Sequence, residues 1–262
     1  MKEKFQIWSC GGGVQSCAIA ALIIQERLPR PFLSVIADTG RECQSTWDYL
    51  NEVINPALDK VDHCLRVIRV SAAEWGYYHN TGHEVFNAQG TLKIPIYTNE
   101  SGQVAKFSGY CSSDWKQEPI DRWLRAQGVE KNQAVKWLGY GKDEQKRWAR
   151  ALTSKEYYLG LLRLPLVQDV PMNRHECQSL IKSMGWPKAP KSRCWMCPNQ
   201  RDEEWLELTT EEFAAAVEFE REMQKRDPNA WLHKSCKPLD QVDFTRPSDL
   251  FSEMCQTGGC FT

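Results

Sequence analysis

Three consecutive glycines between an apolar strand-like segment and an apolar helix-like one constrain this 262-residue chain more than any other feature. The run is Ser9-Cys10-Gly11-Gly12-Gly13-Val14-Gln15-Ser16. It follows Phe5-Gln6-Ile7-Trp8 and opens into Cys17-Ala18-Ile19-Ala20-Ala21-Leu22-Ile23-Ile24. A strand, a glycine turn and a helix in that order leave bare backbone N–H groups at a helix start that carries partial positive charge. Such an end suits phosphate or sulfate. Glycine lets the main chain approach an anion closely and adopt positive φ. An ordinary strand-to-helix turn has the same outline, so the anion reading leans on what lies downstream.

Downstream, strands alternate with helices. Residues 6–9, 32–37, 65–70 and 135–139 read as short apolar strands. Residues 14–27, 43–58, 119–126, 143–151 and 174–184 read as helices, and 76–110, rich in Gly, Asn, Thr and Tyr, as an insertion or loop. The alternation implies an α/β fold, a Rossmann-like doubly wound parallel sheet with ligands at the carboxyl ends of its strands. From about residue 187 the character changes to a cysteine pair, a helix-like stretch over 209–226 and a Gly/Cys-rich terminus. The expected organisation is a sheet domain over 1–186 with a small cysteine-containing appendage over 187–262 packed on it.

Charge excludes little: 33 basic residues face 34 acidic ones, a formal net charge of −1, which does not advertise nucleic-acid binding but leaves room for a local basic face. The chain starts Met1-Lys2-Glu3-Lys4 with no signal-peptide core, and no apolar run approaches the roughly 20 residues that span a bilayer. A soluble, cytoplasmic protein is expected. Eleven cysteines in a reducing compartment point to metal binding or catalysis rather than to disulfides. Most of the eleven tryptophans are expected in the core.

The glycine run lacks the Gly-Lys-Ser/Thr ending of a Walker loop and the separated glycines of the dinucleotide fingerprint. Gly11-Gly12-Gly13-Val14-Gln15-Ser16 resembles instead the PP-loop of the adenine-nucleotide α-hydrolase-like superfamily, and within it the phosphoadenosine phosphosulfate (PAPS) reductase-like family. Where the common PP-loop has aspartate before its last serine this chain has Gln15, as PAPS reductases often do. Ala37-Asp38-Thr39-Gly40 also resembles a family segment beside the adenosine, although an aspartate or threonine there can simply cap the next helix. Trp137-Leu138-Gly139-Tyr140-Gly141-Lys142-Asp143-Glu144-Gln145-Lys146-Arg147 resembles the family's basic strand-to-helix turn, although a Lys-Asp-Glu run is also a common solvated helix start. The resemblance runs from about residue 5 to 200. It implies that Ser9, Gly11, Gly12, Gly13, Gln15, Ser16, Asp38, Thr39 and Gly40 bind the nucleotide. It also implies that Ser16, Lys142 and Arg147 act in catalysis, Arg147 through its two-pronged guanidinium.

Cys194-Trp195-Met196-Cys197-Pro198 is a Cys-x-x-Cys knuckle, which can clamp a metal but needs further ligands. Cys111, in Tyr110-Cys111-Ser112-Ser113-Asp114-Trp115-Lys116-Gln117-Glu118-Pro119, resembles the cysteine element of the family's iron–sulfur reductases. One further thiol must come from Cys177 or from Cys255 and Cys260, with Cys177 chosen. Cys111, Cys177, Cys194 and Cys197 would hold a [4Fe–4S] cluster or, alternatively, structural zinc. Cys10, Cys17, Cys43 and Cys64 read as ordinary buried cysteines. His175 reads as solvent-facing and His233 is assigned no role. No Ser-His-Asp arrangement is evident.

What the resemblance implies about function is a PP-loop ATP pyrophosphatase that adenylylates an acceptor for sulfur transfer. The acceptor would be nucleic acid, as in DNA phosphorothioation, with sulfur from a cysteine desulfurase partner and with ATP and Mg2+ as cofactors. Two alternatives stay open. One is a PAPS or adenosine phosphosulfate (APS) reductase using a C-terminal thiol at Cys255 or Cys260. The other is a non-catalytic nucleotide-binding subunit of a modification or defence complex. No membrane association is expected.

Overall fold

The computed structural model describes residues 4–69 and 93–245. Residues 4–69 and 110–194 form one compact unit, and 93–109 and 195–245 a second. The division lies at 194/195 rather than near 186 because the segment from 187 is bonded into the first unit. There Tyr49 Oη donates to the Pro187 carbonyl at 2.9 Å and the Cys43 N–H donates to the Arg193 carbonyl at 3.0 Å.

The strands are β1 (Phe5–Ser9), β2 (Leu33–Asp38), β3 (Leu65–Arg69), β4 (Ile96–Thr98), β5 (Ala105–Phe107), β6 (Ala134–Trp137) and β7 (Leu162–Arg163). The α-helices are α1 (Val14–Ile24), α2 (Gln44–Tyr49), α3 (Asn55–Asp59), α4 (Glu118–Ala126), α5 (Gln145–Leu152), α6 (Lys155–Tyr158), α7 (Arg174–Ser183), α8 (Asp202–Leu206) and α9 (Thr210–Gln224). Five strands of the first unit form one sheet in the order β3-β2-β1-β6-β7, every neighbouring pair parallel. The architecture is α/β and Rossmann-like, as the alternation implied.

Period-2 alternation sends side chains to both faces of this sheet. Ile7, Val35, Ala37 and Ile68 pack with Ile120 and Leu124 of α4 on one face. Trp8, Ile36 and Trp137 pack on the other with α1, which is buried nearly all round, and with Leu180 and Ile181 of α7. Each fully buried Leu or Ile contributes about 1.5–3 kcal/mol. The expected helix over 43–58 is present but interrupted. Pro56 offers no N–H to the preceding turn, and the chain passes through a π-helical turn at Leu50–Ile54 between α2 and α3. A second π-turn, Ser113–Gln117, leads into α4 ahead of Pro119.

The second unit contains the antiparallel β4–β5 hairpin, within a stretch read from sequence as a loop. It also holds α8 and α9, the latter realising the expected 209–226 helix. Buried Glu220 of α9 accepts the Leu232 and Leu239 N–H groups, each at 2.8 Å, and so anchors the following loop. Cys255 and Cys260 lie outside the described residues. No helix among the described residues is long and apolar enough to cross a membrane.

Candidate nucleotide site at the glycine turn

β1 delivers the chain to the glycine turn where the strand order reverses, between β1 and β6. Ligands of open α/β sheets bind at such a switch point, outside the carboxyl ends of the strands. Gly12 has φ +74°, and a Cβ added there would lie 2.5 Å from Thr46 Cγ2, so the turn requires glycine. A Cβ on Gly13 would lie 3.3 Å from Ser192 Cβ. Ser16, buried in the first turn of α1, accepts the Gly11 N–H on its Oγ at 2.9 Å and so shapes the loop from within. Gly12 N–H approaches Cys10 Sγ at 3.4 Å. α1 begins with no side-chain cap and no acidic residue in its first turn, which leaves its leading N–H groups to the crevice. Ser9 closes β1 in register with Val35.

The turn after β6 is organised by Glu144. Its carboxylate accepts the Gly141 N–H at 2.9 Å and the Gln15 side-chain amide at 3.1 Å, and it pairs with Arg147. The Arg147 guanidinium also lies 4.4 Å above the Tyr140 ring. A neutral amide at position 15 can donate to Glu144, whereas a carboxylate there would be repelled. That is a physical reason for glutamine in this loop. Through Glu144, Arg147 is thus tied to the first turn of α1. Lys142 is not tied to the glycine loop by any bond seen here: its ammonium pairs with Glu176 of α7 at 2.9 Å.

Beyond β2, Asp38 Oδ1 accepts the Gly40 N–H at 2.8 Å, so Asp38 shapes its own turn. Thr39 and Thr46 are fully buried, and the Oγ1 of each has no hydrogen-bond partner. The next residues build a buried polar cluster. Arg41 stacks 4.6 Å above the Trp115 ring. Glu42, 3% exposed in its side chain, accepts Lys116 Nζ at 2.8 Å and Ser192 Oγ at 2.5 Å. Cys194 Sγ lies 4.0 Å from Glu42 Oε2, and the two residues form an isolated antiparallel bridge. Burial pulls Arg41 down to about 10, against the opposing influence of Cys194 and Cys111. Burial acts to lower Lys116 too, but Glu42 and the same two thiols outweigh it and hold the ammonium above its usual range. The π-turn at 113–117 carries both Trp115 and Lys116 into this cluster, a common placement for π-turns at functional sites.

The four cysteines expected to share a metal are not gathered together. Cys111 and Cys194 bear on the same two cations, Arg41 and Lys116. Cys177 is instead fully buried in the core that α1 and α7 share, where the surrounding charges are Asp143, Glu176, Arg174 and Glu144. Its side chain follows the apolar stripe of α7, which spacing along the sequence does not reveal. Among the described residues no group of three or more His, Cys, Asp or Glu is disposed to hold a metal ion. The residues therefore do not fit a cluster ligated by Cys177, and the chemistry proposed below uses none.

Buried thiols set an alkaline limit on stability. Burial pushes Cys10 up to about 11 and Cys177 up to about 12, and it raises Cys17 as well. Unfolded thiols ionise near 9.0. Above that pH the unfolded chain releases protons that the folded one retains, so stability is full below pH 9 and falls as pH rises. The expected slope is about 1.4 kcal/mol per pH unit per thiol. Urea midpoints measured at stepped pH should decline from pH 9 upward, and less steeply in Cys177→Ala. A flat profile would contradict the burial of these groups.

Sequence reasoning passed over Arg41, Glu42, Lys116, Glu144 and Ser192, and their contacts are what close the site. It also left His233 without a role. In the second unit His233 Nε2 meets Asp202 Oδ1 at 3.1 Å, and Nδ1 receives the Ser235 N–H at 3.2 Å with Ser235 Oγ at 2.8 Å. This Asp-His-Ser chain, which the sequence reading did not find, ties the 233–235 turn to α8. Comparison with family models, with curated proteins and with solved structures gives no match to this chain.

Proposed function

We propose that the first unit binds an adenine nucleotide at the glycine turn and acts as a PP-loop ATP pyrophosphatase of the PAPS reductase-like kind. In this reading it adenylylates an acceptor, nucleic acid, so that sulfur from a cysteine desulfurase partner can displace AMP. The observation that carries the proposal is the obligate-glycine turn at the uncapped start of α1, at the reversal of strand order. The buried hydroxyls of Thr39 and Thr46, without partners in the protein, add polar groups that a bound ligand can satisfy. In this reading the N–H groups of the turn hold the departing phosphates, and Arg147, steadied by Glu144, faces charge that develops as the α–β bond breaks. Magnesium, when bound with the nucleotide, offsets phosphate charge, and Asp38 is the carboxylate that would meet it. An iron–sulfur centre or zinc at Cys111 and Cys194 would need ligands other than Cys177.

A PAPS or APS reductase is the second reading, favoured by two thiols beside Arg41 and Lys116, cations suited to a sulfonate. One experiment separates the two. Purified protein with MgATP is expected to release pyrophosphate, and Glu144→Ala, which lets Arg147 swing away, should lower kcat by roughly 10²-fold with a smaller change in KM. Sulfite from PAPS with reduced thioredoxin, and no pyrophosphate from ATP, would favour the reductase. Neither product, with nucleotide binding intact, would leave a binding subunit.

A further inference from the structure

We propose that the groove beside the carboxyl end of α7 binds single-stranded nucleic acid. The inference rests on the acceptor class in the reading above and gives that acceptor a place. The groove encloses about 310 Å³ between the apolar walls of Ile181, Pro187 and Ala189, with Trp186 and the exposed Lys182 and Lys188 also lining it. No carboxylate lines it. From Cys177 to Arg201 the chain has no Asp or Glu but carries Lys182, Lys188, Lys191, Arg193 and Arg201, in a protein whose formal charge is −1. Two of these five bases, Lys182 and Lys188, line the groove, whereas Arg201 pairs with Glu204.

Trp186 is half-buried. Part of its indole packs on the α1–α7 core, which fixes the ring, and part lines the groove. A fixed aromatic face flanked by lysines is what a strand with exposed bases needs: a base stacks on the ring and the neighbouring phosphates meet the ammonium groups. At the low end of ligand clefts, roughly 300–1,000 Å³, the groove admits a single base rather than a duplex. The segment leaving the groove is pinned by the bonds to Pro187 and Arg193, and it brings Ser192 against Gly13. The groove lies toward the carboxyl end of α1, where Gln25 Nε2 meets Met184 Sδ at 3.2 Å, so a strand that follows the chain from Trp186 to Ser192 runs from there toward the glycine turn.

Fluorescence anisotropy of a short labelled oligonucleotide, without ATP, tests this. The full-length protein is expected to bind a single strand with salt-dependent affinity. The pair Lys182→Gln and Lys188→Gln should weaken binding at least about tenfold, and the slope of log affinity against log salt should shrink by about 1.4, or about 0.7 per lost phosphate contact. Trp186→Ala should weaken binding at least roughly fivefold, and Trp186→Phe should restore most of it. If the alanine variant fails to fold, the lysine pair still decides. Binding unchanged by the lysine exchange, or tighter binding of duplex than of single strand, overturns the proposal. So does lysine-dependent capture of phosphatidylserine vesicles by a protein that ignores the oligonucleotide. Pyrophosphate release measured on the same preparations keeps the two readings apart. Lysine-dependent oligonucleotide binding without pyrophosphate release preserves the groove and removes the adenylylation reading, and the converse removes the groove alone.

Discussion

Gly12→Ala is expected to abolish nucleotide binding and to destabilise the first unit by about 3 kcal/mol or more. Two costs add. A side chain at φ +74° is strained by about 1 kcal/mol or more. The new methyl would also sit 2.5 Å from Thr46 Cγ2 on α2, a helix held by its own packing, with Leu50 Cδ1 and Ile36 Cδ1 close behind at 3.6 and 3.7 Å. Relief has to come from the turn itself, and a displaced turn no longer aims its N–H groups at one point. Calorimetric titration with ATP and with PAPS checks binding, and urea unfolding checks stability. Gly102→Ala is the control: it also has positive φ, but no atom lies within 4 Å of the added carbon. If both variants lose stability equally and Gly12→Ala still binds nucleotide, the turn is not the cradle described here.

The second large effect is expected from Glu42→Leu. This carboxylate is the common acceptor for Lys116 and Ser192 and the only acidic side chain placed against Lys116 among the contacts described. Its removal strands a cation near Arg41. Breaking one side of a buried pair costs about 3–5 kcal/mol, and the lower end applies because a third of the Lys116 side chain reaches water. A double variant, Glu42→Leu with Lys116→Met, should recover most of the loss, since the stranded charge rather than the missing contact dominates. Chemistry should move with stability. With the anion gone and both cations in place, Cys194 should be alkylated by iodoacetamide faster than in the parent protein, measured by peptide mass spectrometry under native conditions. An unchanged rate would place Cys194 outside the influence of this cluster.

The glycine turn, the parallel sheet and the helices around it were legible because each is written locally. Apolar runs of strand length lie between amphipathic stretches, and the loop joins two of them directly. β7 was not legible, since two residues, Leu162 and Arg163, carry no periodicity. The β4–β5 hairpin was hidden by the polar composition around it. The interruption of the 43–58 helix is foreshadowed by Pro56, but nothing in composition distinguishes a π-turn from a simple kink. At the site, the link from Arg147 to Gln15 runs through Glu144, a residue that looks like any helix-start acid until its three donors are seen. Cys177 shows the converse. Residue type offers a thiol, whereas the direction of that thiol depends on which stripe of α7 meets α1.

Ser192 and Glu42 meet although 150 residues separate them, and Lys116 reaches the same carboxylate from 74 residues away. Bringing such distant parts of a chain together is slow, because the entropy of closing long loops is lost before any contact compensates for it. All five parallel strands precede residue 187, so a nascent chain can assemble its sheet while Ser192 and Cys194 are still unplaced. Until they arrive, Glu42 lacks the Ser192 hydroxyl, Gly13 lacks Ser192 at its back, and the polypeptide is a scaffold whose chemistry has yet to be installed.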